Sequence, residues 1–298
     1  MNLTATTRFS AERRMIDGAL GGIAAQYLSG VDRDTREAIG YALAGGGKRL
    51  RALLLLSAYR AAGGTRDATL LAVAVEVVHA YSLVHDDLPC MDDDDVRRGR
   101  PTVHKAFGVR VASAAGLAMV PLAARVAFDG ALELGLDANA SASIVRELMH
   151  ASGASGMIGG QLLDLEGENR ALSLPELERV HSLKTGALIT AAVRLGGLAA
   201  AGTPSVLDAL SRFGRAVGLA FQIADDVLDA TSTTDRLGKT AQKDASLHKS
   251  TYPALLGVDA ARARASVLAH EACEALGSAG LLTTEMEYLA KFSVGRES

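Results

Sequence analysis

The sequence has no tryptophan, and aromatic residues make up only 4% of its 298 positions. With Ala and Leu dominant and few β-branched runs, that scarcity favours helix over strand. Prolines number six, too few to punctuate a loop-rich chain. The two cysteines, Cys90 and Cys273, stand in no ligand spacing. They read as reduced thiols of a cytosolic protein, not as a disulfide or a metal pair. A net charge of −3 advertises neither nucleic acid nor an anionic membrane surface as partner. The opening "MNLTATTRFSAERR" lacks the apolar core of a signal peptide. The longest nearly uncharged stretch, Val111 to Ala124, is too short to cross a bilayer and contains Pro121. The expectation is a soluble, cytoplasmic protein with no membrane span.

Apolar residues supply 49% of the chain, ample material for a core. About ten helical segments can be traced, and no convincing strand. Breaks fall at Gly63-Gly64, Asp92 to Pro101, Gly135 to Ala140, Gly167 to Pro175, Gly202 to Ser205 and Thr231 to Gly238. "SLPE" sets the hydroxyl of Ser173 three residues before Glu176, the signature of a capping box. Thr203 and Pro204 mark another helix start. No composition shift or repeat divides the chain, so one all-α domain over 1–298 is the simplest reading.

Two segments stand apart. "LLAVAVEVVHAYSLVHDD" (Leu70 to Asp87) is apolar nearly all round, as a buried central helix would be. "FGRAVGLAFQIADDVLD" (Phe213 to Asp229) is similar, and both end in paired aspartates. Asp225 and Asp229 lie one turn apart on one face, where like charges repel unless a cation sits between them. Asp226 is rotated about 100° away, toward a second ion or a supporting lysine. On the first segment His79 and Asp86 share a face, ~10 Å apart along the axis. Pro89 breaks the helix before Asp92, so the chain must bulge to bring Asp92 back. Carboxylates without paired Cys or His are hard-oxygen ligands suited to Mg²⁺. Asp93 to Asp95 serve equally well as a solvated turn. Two acid-tipped helices suggest a pair facing across a cavity.

Cations accompany the acids. "GGGKRLR" puts Lys48, Arg49 and Arg51 behind glycines that let backbone approach an anion. Arg97 and Arg98 follow the acidic loop. Lys184 and Thr185 precede an apolar helix, and Lys239, Lys243 and Lys249 follow the second acid cluster. Together they imply one metal-bound anion and a second anion held by cations alone. "GGQLLD" (Gly159 to Asp164) reads either as a close helix crossing or as a device pointing Gln161 into a cavity.

"GGGKRLR", "EVVHAYSLVHDDLPCMDDDDVRRGRPTVH", "GMIGGQLLDLEGE", "HSLKTGAL", "FQIADDVLD" and "KSTYPALLG" occur in that order. From about Ala42 to Gly257 the chain resembles the trans-prenyltransferases, specifically short-chain (E)-prenyl diphosphate synthases of the bacterial farnesyl diphosphate synthase type. The resemblance implies the isoprenoid synthase fold, helices around a deep central cavity, and a homodimer. It implies that Asp86, Asp87 and Asp92, with Asp225, Asp226 and Asp229, hold three Mg²⁺ ions on an allylic diphosphate, Mn²⁺ being a possible substitute. Arg97, Lys184, Thr185, Gln222 and Lys239 match residues gripping that diphosphate, and Lys249 belongs with them. Lys48, Arg51, His79 and Arg98 match the metal-free site for isopentenyl diphosphate. The implied catalytic set is Asp86, Asp92, Asp225, Lys184 and Lys239.

In relatives, bulk five residues before the first aspartate limits the cavity floor. Here that residue is Tyr81, with Ser82 beside it, a pattern resembling enzymes that stop at fifteen carbons. Some positions depart from the family pattern: Leu117 replaces an acid, Pro121 follows inside the same helix, Gln242 and His248 replace Gly, and Ala52 replaces Pro. A geranylgeranyl diphosphate synthase is the runner-up product class. A terpene cyclase would need no second anion site, and a non-catalytic subunit would be expected to have lost aspartates.

Overall fold

The computed structural model describes residues 8–231 and 249–295. Lys239, Gln242, Lys243 and His248 therefore lie outside the described residues. The chain divides into two compact units, one of Met1–Leu53 with Arg66–Val145, the other of Leu54–Thr65 with Arg146–Ser298.

The first unit begins with α1 (Ser10–Tyr27) and α2 (Arg33–Leu43) and includes the first turn of α3 (Leu50–Ala61). Asp32 caps α2 by accepting from the backbone N of Thr35. Helix α4 (Thr69–Asp86) follows. A two-residue ribbon, β1 (Val96–Arg97) against β2 (Arg100–Pro101), then closes the acidic loop. The ribbon falls inside the break expected between Asp92 and Pro101. Short α5 (Val103–Phe107) leads to long α6 (Val109–Glu133), which runs through Pro121.

Helix α4 owes its place to an almost unbroken apolar surface: Leu71 to Val75 are fully buried. It packs against α6 so closely that a Cβ on Gly130 would lie 2.7 Å from the backbone N of Leu71. Both helices are long and apolar enough to cross a bilayer, yet 61% of the apolar window of α4 and 44% of that of α6 are buried within the protein.

The second unit holds the rest of α3 and, from Arg146 on, the second half of α7 (Ala138–Ser152), whose first half belongs to the first unit. It continues with α8 (Met157–Glu166) and α9 (Leu174–His181), then a π-helical turn over Ser182–Gly186. The expected capping box opens α9, with Ser173 and Glu176 in reciprocal hydrogen bonds. Helices α10 (Ala187–Ala199) and α11 (Pro204–Thr231) come next, then α12 (Tyr252–Leu256), α13 (Val258–Gly277) and α14 (Thr284–Val294). Helix α11 is longer than the motif read from sequence and carries it in its last turns. Ala220, Ile223 and Val227 bury one stripe of α11 in a cluster with Leu177, Tyr252, Ala265 and Leu268.

Candidate active site

Helix α4 stops at Asp86, and the chain then folds back as Pro89 requires. The backbone N of Asp92 donates to the carbonyl of Asp86 over 2.9 Å, while Met91 and Asp93 donate to Leu88. The bulge expected from sequence thus returns Asp92 to the helix end. Asp86 is half-buried, whereas Asp87 is 3% exposed. Arg97 clasps Asp87 through Nε and Nη2 at 2.7 and 2.6 Å on Oδ1, and also reaches Asp94 at 3.4 Å. Burial raises the Asp87 carboxyl, and Arg97 opposes that rise. Asp95 pairs with Lys105 at 2.8 Å. Asp93, Asp95 and His104 bring ligand atoms within 4.8 Å of one another, so the loop has the donors of a divalent cation site as well as a turn.

Beside this loop lies a cleft of about 60 Å³ lined by Arg49, His79, Arg97, Arg98 and Arg100, with Glu76 and Asp87 among the cations. His79 is pushed well below its ordinary value, first by burial and then by Arg51, Arg98, Arg97 and Arg49. It is therefore a neutral imidazole at pH 7. Arg98 donates to the carbonyl of Gly46 and lies over Gly47, where a Cβ would come within 2.8 Å of its guanidinium. Arg13 donates to the carbonyl of Gly47 at 3.0 Å. Glycine is required there by the arginine stacked on it, so the group that approaches the backbone is a cation and not the anion expected from sequence.

Tyr81 is 9% exposed and meets His85 edge to face, with ring centroids 5.0 Å apart. Ser82 donates to the carbonyl of His79 at 2.9 Å, so its hydroxyl is spent on its own helix. Leu117, the acid's replacement, is 67% exposed on α6.

In the second unit, Asp225, Asp226 and Asp229 occupy the last turns of α11. Asp225 is half-buried, while Asp226 and Asp229 are 4% and 7% exposed. Asp226 is the hub of a hydrogen-bonded network. Its Oδ2 meets His181 Nε2 at 3.1 Å and accepts from the backbone N of Tyr252 at 3.1 Å; its Oδ1 accepts from Gln222 at 3.2 Å. Thr185 donates to Gln222 at 2.8 Å. The His181 ring stacks on Tyr252, whose hydroxyl donates to Glu178 at 2.6 Å.

Lys184 and Lys249 converge on Asp164 Oδ2 at 2.7 and 2.9 Å, and Lys249 also reaches Glu168 at 3.4 Å. Burial works to raise the Asp164 carboxyl, but the two lysines bring it down to about 2. The paired glycines serve a close crossing: a Cβ on Gly160 would sit 2.1 Å from the backbone N of Lys184. On the next residue, both amide atoms of Gln161 are buried with no hydrogen-bond partner among the described residues.

Sequence reasoning did not assign Glu76, Asp164, His181 or Tyr252. A lone acid inside "AVAVEVV" was the available signal for Glu76. Asp164, His181 and Tyr252 stood inside quoted motifs but carried no distinguishing spacing.

The polyprenyl synthetase family model matches residues 32–278. Farnesyl diphosphate synthase of Escherichia coli (strain K12) is 46% identical over 258 residues, 84% of this chain and 85% of its own. A chloroplastic geranylgeranyl pyrophosphate synthase of Capsicum annuum is 42% identical over 80% of this chain and 65% of its own length. Among solved structures, the geranyltransferase of Helicobacter pylori, complexed with magnesium and isoprenyl diphosphate, superposes with a TM-score of 0.81 at 28% identity, covering 99% of this chain and 97% of that one. The chain belongs to the polyprenyl synthetase family and has its all-α isoprenoid synthase fold.

Proposed function

We propose that the protein is a prenyltransferase that joins isopentenyl diphosphate head-to-tail to dimethylallyl and then geranyl diphosphate, giving farnesyl diphosphate. The carrying observation is the cation-lined cleft of the first unit, distinct from the acidic loop beside it. A second anion site is what chain elongation needs and what a terpene cyclase lacks. The similarity to bacterial farnesyl diphosphate synthases supports the same reading.

Lys48, Arg51, His79 and Arg98 hold isopentenyl diphosphate, with His79 donating a hydrogen bond without adding charge. Lys184, Thr185, Gln222, Lys239 and Lys249 hold the allylic diphosphate, Arg97 with them. Lys184 and Lys249 are engaged by Asp164 in this structure, so a diphosphate competes with a carboxylate for these two. The metal set is Asp86, Asp87, Asp92, Asp225, Asp226 and Asp229, whose all-carboxylate donors fit Mg²⁺. Asp87 and Asp226 spend oxygens on protein partners, so they act from behind Asp86 and Asp225. Three Mg²⁺ ions bound by these carboxylates would supply the positive charge that offsets the leaving diphosphate. The allylic C–O bond breaks, the double bond of isopentenyl diphosphate forms the new C–C bond, and a proton passes to the departing diphosphate. The apolar walls exclude water from the cation-like carbon. The protein works in the cytoplasm as one domain and as a homodimer. The exposed Leu117, apolar where relatives carry an acid, suits a covered face.

Incubation with dimethylallyl and isopentenyl diphosphates should yield a fifteen-carbon diphosphate. Hydrocarbon formed from farnesyl diphosphate alone would overturn the assignment in favour of a cyclase. Geranylgeranyl diphosphate is the second reading, motivated by the Capsicum relative. Tyr81→Ala should lengthen the product; unchanged length would remove Tyr81 from the floor of the cavity.

A further inference from the structure

Arg49 stands between the two cations assigned to isopentenyl diphosphate, Lys48 and Arg51, but it does not face outward as Lys48 does. It is 9% exposed and adopts φ +52°, a left-handed conformation that non-glycine residues hold only when surroundings over-determine it. The surroundings are three. Nε meets Asp17 Oδ1 at 2.7 Å on α1, Nη2 donates to the carbonyl of Leu43 at 3.2 Å, and Nη1 lies 3.6 Å from Glu76 Oε2 on α4. Glu76 is 4% exposed, and its other oxygen accepts from the backbone N of Ala52 at 3.1 Å. One buried carboxylate thus grips the chain on both sides of Arg51. Glu76 also sits one helical turn before His79, and both line the cationic cleft.

Charge gives the pair a second task. The cleft gathers Arg49, Arg97, Arg98 and Arg100, which repel one another unless offset. Asp87 answers Arg97, and Glu76 answers Arg49. The remaining positive potential is left for a ligand anion.

We propose that Glu76 and Arg49 form the positioning pair of the metal-free anion site, fixing Lys48 to Ala52 so that Lys48 and Arg51 converge on the diphosphate of the isoprenoid donor. The proposal rests on the reading that this cleft takes isopentenyl diphosphate. Both line the cleft, but in this proposal they act by holding the segment Lys48 to Ala52, the first turn of α3 included, and not by binding the diphosphate themselves.

The test separates the two substrates. In Glu76→Gln and Arg49→Lys, the KM for isopentenyl diphosphate should rise about tenfold or more, because small misplacements of binding groups are costly. The KM for the allylic diphosphate should stay within about twofold. The double variant Arg49→Met with Glu76→Met replaces a buried pair by apolar bulk, an exchange that proteins tolerate. It should fold, melt near the wild type, and still show the raised KM for isopentenyl diphosphate. This variant carries the test if Glu76→Gln does not fold. Equal movement of both KM values, or recovery of the isopentenyl diphosphate KM in the double variant, would reduce the pair to a scaffold and overturn the proposal. Wild-type protein that never consumes isopentenyl diphosphate would instead sink the functional reading beneath it.

Discussion

The two acidic motifs solve one problem with different partners. Each begins with a pair of aspartates at a helix end, and in each the first member is half-buried while the second is almost wholly enclosed. In the first unit the enclosed member, Asp87, is answered by the charge of Arg97. In the second the enclosed member, Asp226, is answered by a histidine, an amide and a backbone N–H. Adjacent residues on a helix point about 100° apart, so the two carboxylates of a pair meet different surroundings. One stays half-exposed and the other turns into the fold, where it must be satisfied. A guanidinium answers the acid beside the loop; an imidazole, an amide and a backbone N–H answer it on the long helix.

The comparison breaks most sharply on activity. Asp86→Asn and Asp225→Asn should each cost on the order of a thousandfold in turnover, since under the proposed function each removes a ligand from the charge-neutralising set. Asp87→Asn and Asp226→Asn should cost about tenfold, and show their larger effect in thermal unfolding. Losing a buried partner of Arg97 should destabilise by about 2–3 kcal/mol, and weakening the Asp226 hub by about 1–3 kcal/mol. Parallel activity profiles and melting curves measure both halves of this expectation.

A third carboxylate sharpens the contrast. Asp164 is depressed to about 2 by Lys184 and Lys249 despite burial. The stability it supplies, about 2 kcal/mol by linkage, is present in full above its unfolded value of 3.8. It is lost as pH falls through about 2. Asp164→Asn should remove this part of the acid limb of a stability-versus-pH curve; an unaltered limb would show that the lysines do not act on it.

The smallest expected effect concerns Gln161, whose buried amide lacks partners among the described residues. Gln161→Leu should raise the unfolding midpoint by about 2 °C, because it removes an unsatisfied polar group. A fall would mean that the amide is bonded in solution.

These contrasts were only partly legible in the sequence. Periodicity places Asp225 and Asp229 on one face because both are measured against one helix axis. Pro89 announces the bulge that returns Asp92, because it forbids the helix from continuing. The partners of the enclosed acids come from elsewhere in the chain, and spacing along one helix carries no information about them. His181 stands 45 residues from Asp226, and Arg49 stands 27 before Glu76. The two-residue ribbon was too short to register as alternation. Glu76 looked like an isolated interruption of an apolar run, when it meets Arg49 and the backbone N of Ala52.

Magnesium dependence tests the division of labour most directly. Turnover should be followed against Mg²⁺ concentration in the wild type and in the four asparagine variants at Asp86, Asp87, Asp225 and Asp226. The account expects the requirement for Mg²⁺ to rise steeply in Asp86→Asn and Asp225→Asn, and to stay near the wild-type value in Asp87→Asn and Asp226→Asn. Equal displacement of all four curves, or turnover indifferent to Mg²⁺, would contradict it.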